Sequence, residues 1–504
     1  MQNIVSLTKL NQLSLLMKPS LRILIPTLCL LIFSVMEIHA QSTFNVVIKD
    51  TVYDHQVMSA LELPSGSFIL IDSYYLSSDM FSSRASKVSA TGEITLQKNF
   101  CYEGISSSLG SVSQISENEI VFSGVISDPV IDKLWICITD TSFNVLREKT
   151  FLLAGNNLLR SIVIAGSQQD IICYGTVRDT TLWRTPHFFI YRQSTNLDSL
   201  QYKIFMDRWG YGLDLIERND HKGYYAVVLG VNPVGKPGNL LSIDSSLNIR
   251  KMVNISHDVT NLGSVAYTDP KHILVTGEYE HPPDWHERDI GTALYDTTLN
   301  FIHFAALGKK DTVDCPGLIK NIAAPSANSI AVVGTTNFYF PSIFASQDSW
   351  YSLHNIDTTL GLNWQKFYGG DGYYTLYGVL PTRDQGFLMY GTFWDYHHTS
   401  DYIRYLSLIK VNKDGYAMAA DHNGSPLAHD VVVYPNPGND ILFLETQLRN
   451  ATFTLYDLTG RVILEQIVAP GRTTLPVQPF KSGIYIYKVN VGAQTMDEGK
   501  WIKK

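Results

Sequence analysis

Five tryptophans sit in stretches rich in Gly, Pro, Asp, Ser and Thr: Trp183 (DTTLWRT), Trp209 (DRWGYG), Trp285 (HPPDWHERD), Trp350 (SQDSWYS) and Trp394 (GTFWDYHH). Flat indoles carried on loops stack on sugar faces or on peptide, with Asp, Asn and Arg supplying hydrogen bonds. These five are therefore the candidate ligand-binding residues. The competing reading is that the same rings pad long loops. Trp135 and Trp364 lie in strand-like runs and read as core.

The same loops hold His281, His286, His397 and His398 with Asp284, Asp289, Asp395 and Asp401. Zinc needs three or four converging ligands, and neither segment has the helical H-E-x-x-H spacing. Calcium needs several oxygens from one loop, and these acids are dispersed. Solvated loop histidines are expected, with no metal and no cofactor. Asp128, Asp179, Asp284, Asp371 and Asp395 could cleave glycosides if two of them converged across a bond. There is no G-x-S-x-G elbow and no phosphate loop. The expectation is a non-catalytic protein; the alternative is a secreted glycan-active hydrolase using these rim carboxylates.

What must position such residues is a chain of 504 residues with 17 % charged and 12 % aromatic side chains, 35 Gly and 20 Pro. That mixture favours strands and turns over helices, disorder or coiled coil. A net charge of -8 excludes a large basic surface for nucleic acid. Residues 21–36, LRILIPTLCLLIFSVM, follow Lys18 and Arg22 and end at Ile38-His39-Ala40. This pattern is a secretory leader, residues 1–40, cut after Ala40. Met17 gives a better-proportioned start than Met1. The run is short and broken by Pro26, which argues against a retained anchor. Losing three basic residues and one acidic residue takes the mature charge to -10. Cys101, Cys137, Cys173 and Cys315 remain, in spacings that match no compact disulfide framework. Cys137 and Cys173 lie in apolar runs and read as buried thiols.

The repeat is the strongest organising signal. Apolar runs end at Gly124, Gly175, Gly230, Gly277, Gly334 and Gly391, with Asp72 in that slot in the first copy. Each run is followed by a polar turn, as in TDTSFN, IDSSLN, YDTTLN and IDTTLG. The turns start at Ser89, Asp140, Gln193, Asp244, Asp296, Asp357 and Asn412, about 54 residues apart. Short polar side chains cap their own backbone in such turns. Seven units of four antiparallel strands predict an all-β fold, a seven-bladed β-propeller over 41–424, because one sheet alone cannot hide both faces. Two sandwiches are the structural alternative. FNVVIKDT, 44–51, is expected to pair with the last unit, 373–420, and so close the ring. In such a meander the loops between second and third strands share one face with the blade-to-blade connections. The loops in question are 125–133, 176–186, 231–238, 278–290, 335–349 and 392–404. That face would gather the five tryptophans. WQKFYGGDGYYTLYGVLPTRDQGFLMYGT, 364–392, resembles the W-x-K-x-x-GG…D…GG-x-x-x-x-G-T blade of secreted seven-bladed propellers.

SPLAHD, 425–430, reads as a linker. Beyond it VVVYPNPGND, ATFTLYDLTGRVI, SGIYIYKV and KWIKK are alternating strands divided by turns, a small antiparallel β-sandwich over 431–504. Pro435 and Pro437 confine YPNP to an edge or entry segment. These four motifs, in this order at the C-terminus, resemble the type A C-terminal sorting domain of the type IX secretion system. The resemblance implies that Tyr434, Pro435, Asn436, Pro437, Gly460, Arg461, Gly483, Tyr485, Lys503 and Lys504 form the sorting motif. It also implies export across an outer membrane, usually with removal of the domain and either surface attachment or release. The expected partners are that secretion machinery and a glycan or protein ligand. Nucleic acid and any membrane span after the leader are not expected, and the protein should be a monomer.

Overall fold

The computed structural model describes residues 43–50, 52–77, 80–102, 105–127, 132–153, 156–166, 170–179, 185–230, 238–255, 259–281, 284–309, 312–326, 329–339, 342–399, 402–417, 431–446, 448, 451–492 and 494–504. The expected leader, the expected linker 425–430, Asp128, Trp183 and Asp401 lie outside them. Among the described residues no helix is long and apolar enough to cross a membrane.

Seven antiparallel sheets follow one another along the chain. In the first, His55–Glu62, Phe68–Ser77, Met80–Val88 and Ile94–Phe100 pair in sequence order from the inner to the outer edge. Later inner strands are Ser107–Gln114, Asn156–Ala165, Tyr211–Glu217, Thr260–Asp269 and Tyr373–Pro381, the sixth blade's being split. Apolar side chains pack between neighbouring sheets, so each seam is its own core. Phe122, Trp135 and Phe100 fill the seam of blades 1 and 2. Tyr351, Leu353, Leu376 and Met389 fill that of blades 6 and 7. The last seam returns to the first blade: Leu388, Tyr390 and Leu406 pack on Val57, Phe68 and Leu70. A closed ring of seven follows.

Closure is made by the N-terminal strand. Phe44–Ile48 runs antiparallel to Tyr405–Val411, from Phe44 opposite Lys410 to Ile48 opposite Leu406. The two ends of the propeller thus share one sheet, which leaves no open blade.

The recurrent glycine has a steric cause. A Cβ on Gly391 would lie 2.2 Å from the Thr375 carbonyl oxygen on the neighbouring inner strand. In blade 1 the register places Asp72 in this slot, opposite Val57. Its buried carboxylate is held by His55 Nδ1 at 2.6 Å and Arg84 Nε at 3.4 Å. Gly230 is not in the slot: its strand stops at Leu229, and Val228 stands there opposite Gly212, which leaves the room free on the other strand instead.

The polar turns reverse the chain as expected. Asp244 Oδ1 accepts from the Ser246 and Asn248 amides at 3.0 and 2.8 Å, and Asp296 Oδ1 from those of Thr298 and Asn300 at 2.8 and 2.9 Å. The residue before the closing Asn, Asp or Gly has positive φ in five blades: Phe143, Leu197, Leu247, Leu299 and Leu360, at 60–66°. All five side chains are buried. Each turn therefore accepts a left-handed residue, at a cost of about 1–2 kcal/mol, in order to drive an apolar plug into the seam, worth about 1.5–3 kcal/mol.

Blade 6 departs from the pattern. Its inner strand is split into Asp314–Pro316 and Ile322–Ser326, both paired with Ser329–Thr336. Between them residues 317–321 run parallel to the inner strand of blade 7, where Ile319 N donates to Tyr377 O at 2.8 Å and Val379 N to Lys320 O at 2.8 Å. From there Lys320 Nζ reaches the Asp214 carboxylate of blade 4, at 3.0 and 3.1 Å. Asp214 also accepts from Val265 N of blade 5 at 3.0 Å, so the ion pair ties blades 4 and 6 together past the inner edge of blade 5.

The C-terminal domain is a sandwich of two sheets. One holds Val431–Tyr434, Ile441–Thr446 and Gly471–Pro476; the other Val462–Val468, Ala451–Tyr456, Gly483–Val491 and Gln494–Lys503. Leu442, Phe453, Val489 and a fully buried Trp501 fill its core.

Candidate functional site

Strand order places the loops between second and third strands beside the blade-to-blade connections, on one face. Several expected loops are shorter than the sequence suggested, because their hairpins extend outward. Residues 278–290 are mostly strand: Tyr279 pairs with Asp289 and Glu280 with Arg288, leaving only 282–283 between His272–His281 and Asp284–Asp296. Trp285 and His286 therefore belong to a strand, and their side chains lie outside the described residues. Trp350 opens the strand Trp350–Ile356 and is half-buried. Trp394 ends Phe387–Trp394 and is 5 % exposed, packed with Phe338, Tyr373 and Cys315, so it is not a free loop platform. Trp209 is on a connection and is 54 % exposed.

Blades 6 and 7 build an aromatic platform on this face that the tryptophans alone did not reveal. Tyr402 is 68 % exposed and stacks on the buried Trp394, centroids 5.3 Å apart and planes at 23°. Phe344 meets both rings edge-on, at 5.2 and 5.5 Å. Behind Phe344, 5.0 Å away, lies the guanidinium of Arg404. That group is fixed by Asp54, with Nη2 to Oδ2 at 2.6 Å and Nε to Oδ1 at 2.9 Å, and by Tyr377 Oη at 3.2 Å. Tyr339, 54 % exposed, lies on the adjacent loop of blade 6. A ring backed by a second ring and a pinned cation is a rigid, flat apolar surface that needs no ordering before it binds. In the sequence, Tyr402-Ile403-Arg404 gave no signal beyond its place in the loop 392–404.

Three of the four candidate histidines, His281, His397 and His398, are each paired with a carboxylate. His281 Nε2 lies 2.7 Å from Asp289 Oδ2, His397 Nε2 2.8 Å from Asp348 Oδ1, and His398 Nδ1 2.7 Å from Asp395 Oδ1. Among the described residues no three His, Cys, Asp or Glu converge as a metal site would require. Asp371 is bonded by Tyr374 Oη at 2.8 Å, and burial raises its carboxyl above the usual range. Asp289 and Asp314 approach each other beside Gly308, a pair the sequence did not reveal. Asp314 is fully buried, accepting from Lys309 N and Thr312 Oγ1, both at 2.7 Å, and from Thr336 Oγ1; it organises the connection. Burial pushes it up to about 6. The four cysteines are free. Burial pushes the Cys137 thiol up to about 12, and those of Cys173 and Cys315 well above their usual value.

In the tail the signature residues converge. Trp501 Nε1 donates to Pro435 O at 2.8 Å and Ile502 N to Asn436 Oδ1 at 3.0 Å. Gly438 N donates to Ile502 O at 2.8 Å, and Lys504 N to Gly438 O at 2.9 Å. The YPNPG loop and the terminal strand with Lys503 are therefore one clasp. Elsewhere Gly460, φ 84°, closes the turn in which Asp457 Oδ1 accepts from the Thr459 and Arg461 amides. Gly483 opens its strand, and Tyr485 Oη donates to Lys481 O at 2.8 Å while its ring lies against Trp501.

Fold and site define an all-β protein made of a seven-bladed β-propeller and a small β-sandwich. The family model for the secretion system C-terminal sorting domain matches residues 432–504, and the chain carries a type IX sorting domain that directs it to the outside or the surface of the cell. No curated protein matches the chain. Among solved structures it is similar to a Hadza microbial sialidase, Hz136, at 11 % identity and TM-score 0.37, over 56 % of this chain and 63 % of that one. A WD40 domain of Toxoplasma gondii coronin matches at 10 % identity and TM-score 0.42, over 73 % and 88 %. An α-L-arabinanase of Penicillium chrysogenum matches at 8 % and 0.41, over 58 % and 93 %. The chain thus spans under two thirds of the sialidase, and at these scores nothing about its activity follows.

Proposed function

We propose that the propeller is a non-catalytic binding module of an exported protein, and that it takes a glycan on the platform of blades 6 and 7. The exposed Tyr402, stacked on Trp394, carries this reading. A sugar's apolar face fits a flat ring, and Asp395, His398 and Tyr339 are at hand for hydroxyls. Trp209 is a second exposed ring on the same face. A glycan-array screen of the purified chain, followed by titration calorimetry, tests it. Tyr402→Ala should weaken binding to any hit about 5- to 10-fold, the worth of one aromatic stack. Binding of every hit at wild-type affinity by Tyr402→Ala and Trp209→Ala would remove the platform. Hydrolysis of a polysaccharide panel would favour the glycan-active enzyme.

A further inference from the structure

We propose that the acidic edge of blades 6 and 7 is a docking surface for the sorting domain's own signature, and that recognition for export begins when this contact opens. Propeller and tail belong to one compact unit, Ser42–Lys504. On the propeller side, Asp348 and Asp371 flank Trp350. Asp348 already accepts from Tyr396 Oη at 2.9 Å and faces His397. On the tail side, Tyr434 of the YPNP motif meets Trp350 edge-on, at 5.5 Å and 87°. Arg472 Nη2 stands 3.7 Å from Asp348 Oδ2, and its guanidinium lies 3.8 Å from the Phe443 ring and 5.5 Å from that of Tyr434.

The backbone is shaped for this approach. Gly370 has φ 87°, and a Cβ there would fall 2.2 Å from Trp350 Nε1 and 2.8 Å from Tyr434 Cδ2. Charge is complementary: Arg472 faces Asp348, and Lys504 is among the groups that draw the Asp371 carboxyl down against its burial. Lys504 is also tied through Gly438 to the loop that carries Tyr434. Tyr434 is 3 % exposed, its ring occupied by Trp350, Phe443 and Arg472. A receptor reading that ring has no access while the domain is docked.

The contact is also weak enough to open. A partly exposed ion pair shifts docking by about fivefold at most, and one edge-on ring pair by about two- to tenfold. The inference rests on the tail's role in export, so a propeller that binds no glycan leaves it untouched.

Charge exchange tests it. Asp348→Arg and Arg472→Asp are made singly and together in the full chain, with circular dichroism and melting to show that the blades are intact. Small-angle scattering should give each single variant a larger radius of gyration, and the double variant the wild-type one. Pulse–chase export in a host with this secretion system should be about two- to fivefold faster for each single variant and normal for the double. Either single change falls on a different domain, so loss of folding in one leaves the other informative. Single variants as compact as wild type would overturn the docking surface. Expansion without faster export, or a double variant that stays expanded, would overturn the latch.

Discussion

The left-handed leucines of the polar turns allow a test in which strain and burial pull in opposite directions. Leu247 has φ 60° and is fully buried among Tyr224, Ala226, Leu241 and Ile243. Leu247→Ala removes the buried methyls, at a cost of about 2–5 kcal/mol, but keeps the left-handed strain. Leu247→Gly loses about 0.8 kcal/mol more burial and about 0.5–1 kcal/mol to glycine's unfolded freedom. It also regains the strain, about 1–2 kcal/mol. The two variants should therefore match within about 0.8 kcal/mol. Leu241 is the control: it is 1 % exposed, in the same cluster, and within the strand Gly238–Asp244, where no such strain exists. There glycine should be worse than alanine by about 1.5 kcal/mol, the same two losses without the gain. Urea unfolding followed by tryptophan fluorescence, analysed at a common slope, measures all four. If glycine trails alanine by the same margin at both positions, the leucine is not strained, and the account of the turn fails.

His354 and Asp314 should give pH dependences of opposite sign. Neither ring nitrogen of His354 has a partner among the described residues, and burial pushes the imidazole down to about 4. The unfolded chain takes up a proton near 6.5 that the folded chain refuses, so stability is full above that pH and falls towards 4. His354→Leu should flatten melting temperature over this window and raise stability by about 1–3 kcal/mol; a slope unchanged in the variant would refute the assignment. Asp314, pushed up to about 6 by burial, holds a proton that the unfolded chain releases at 3.8, so its contribution is fullest below 3.8 and is lost as pH rises to 6. Asp314→Asn should remove that loss, and melting curves at pH 4, 5 and 6 decide it. Phe44 anchors the closing strand, 5 % exposed and edge-on to Phe68 at 6.0 Å; Phe44→Ala should cost about 3–5 kcal/mol in one cooperative transition, whereas a transition confined to part of the signal would mean that the strand does not lock the ring. Deletion of 431–504 should leave a folded propeller in the periplasm, and its appearance in the medium at the normal level without lysis would show that the tail does not sort.

Much of this protein is written locally in its chain. Seven units were legible because each repeats an apolar strand and a short polar turn, and turn chemistry acts over five residues. The glycine slot showed itself because close backbone approach admits no side chain. The closing strand could be assigned because an eight-residue segment resembled the one missing from the last blade. The tail's motifs could be read in order, though not as one clasp, since Asn436 and Lys500 lie far apart until the sandwich brings Asn436 Nδ2 to the Lys500 carbonyl. The rest depended on packing. Asp72 looked like an exception to the repeat until His55 and Arg84 were placed around it. Trp394 looked exposed beside Asp395 and the histidines, yet the extended hairpin carries it inside and leaves Tyr402 as the surface. Asp214 and Lys320 are 106 positions apart in sequence, and only the packing of blades 4, 5 and 6 side by side brings them together. A turn or a strand is decided by neighbours along the chain, whereas an ion pair between two blades or a ring laid over another is decided by how the blades pack.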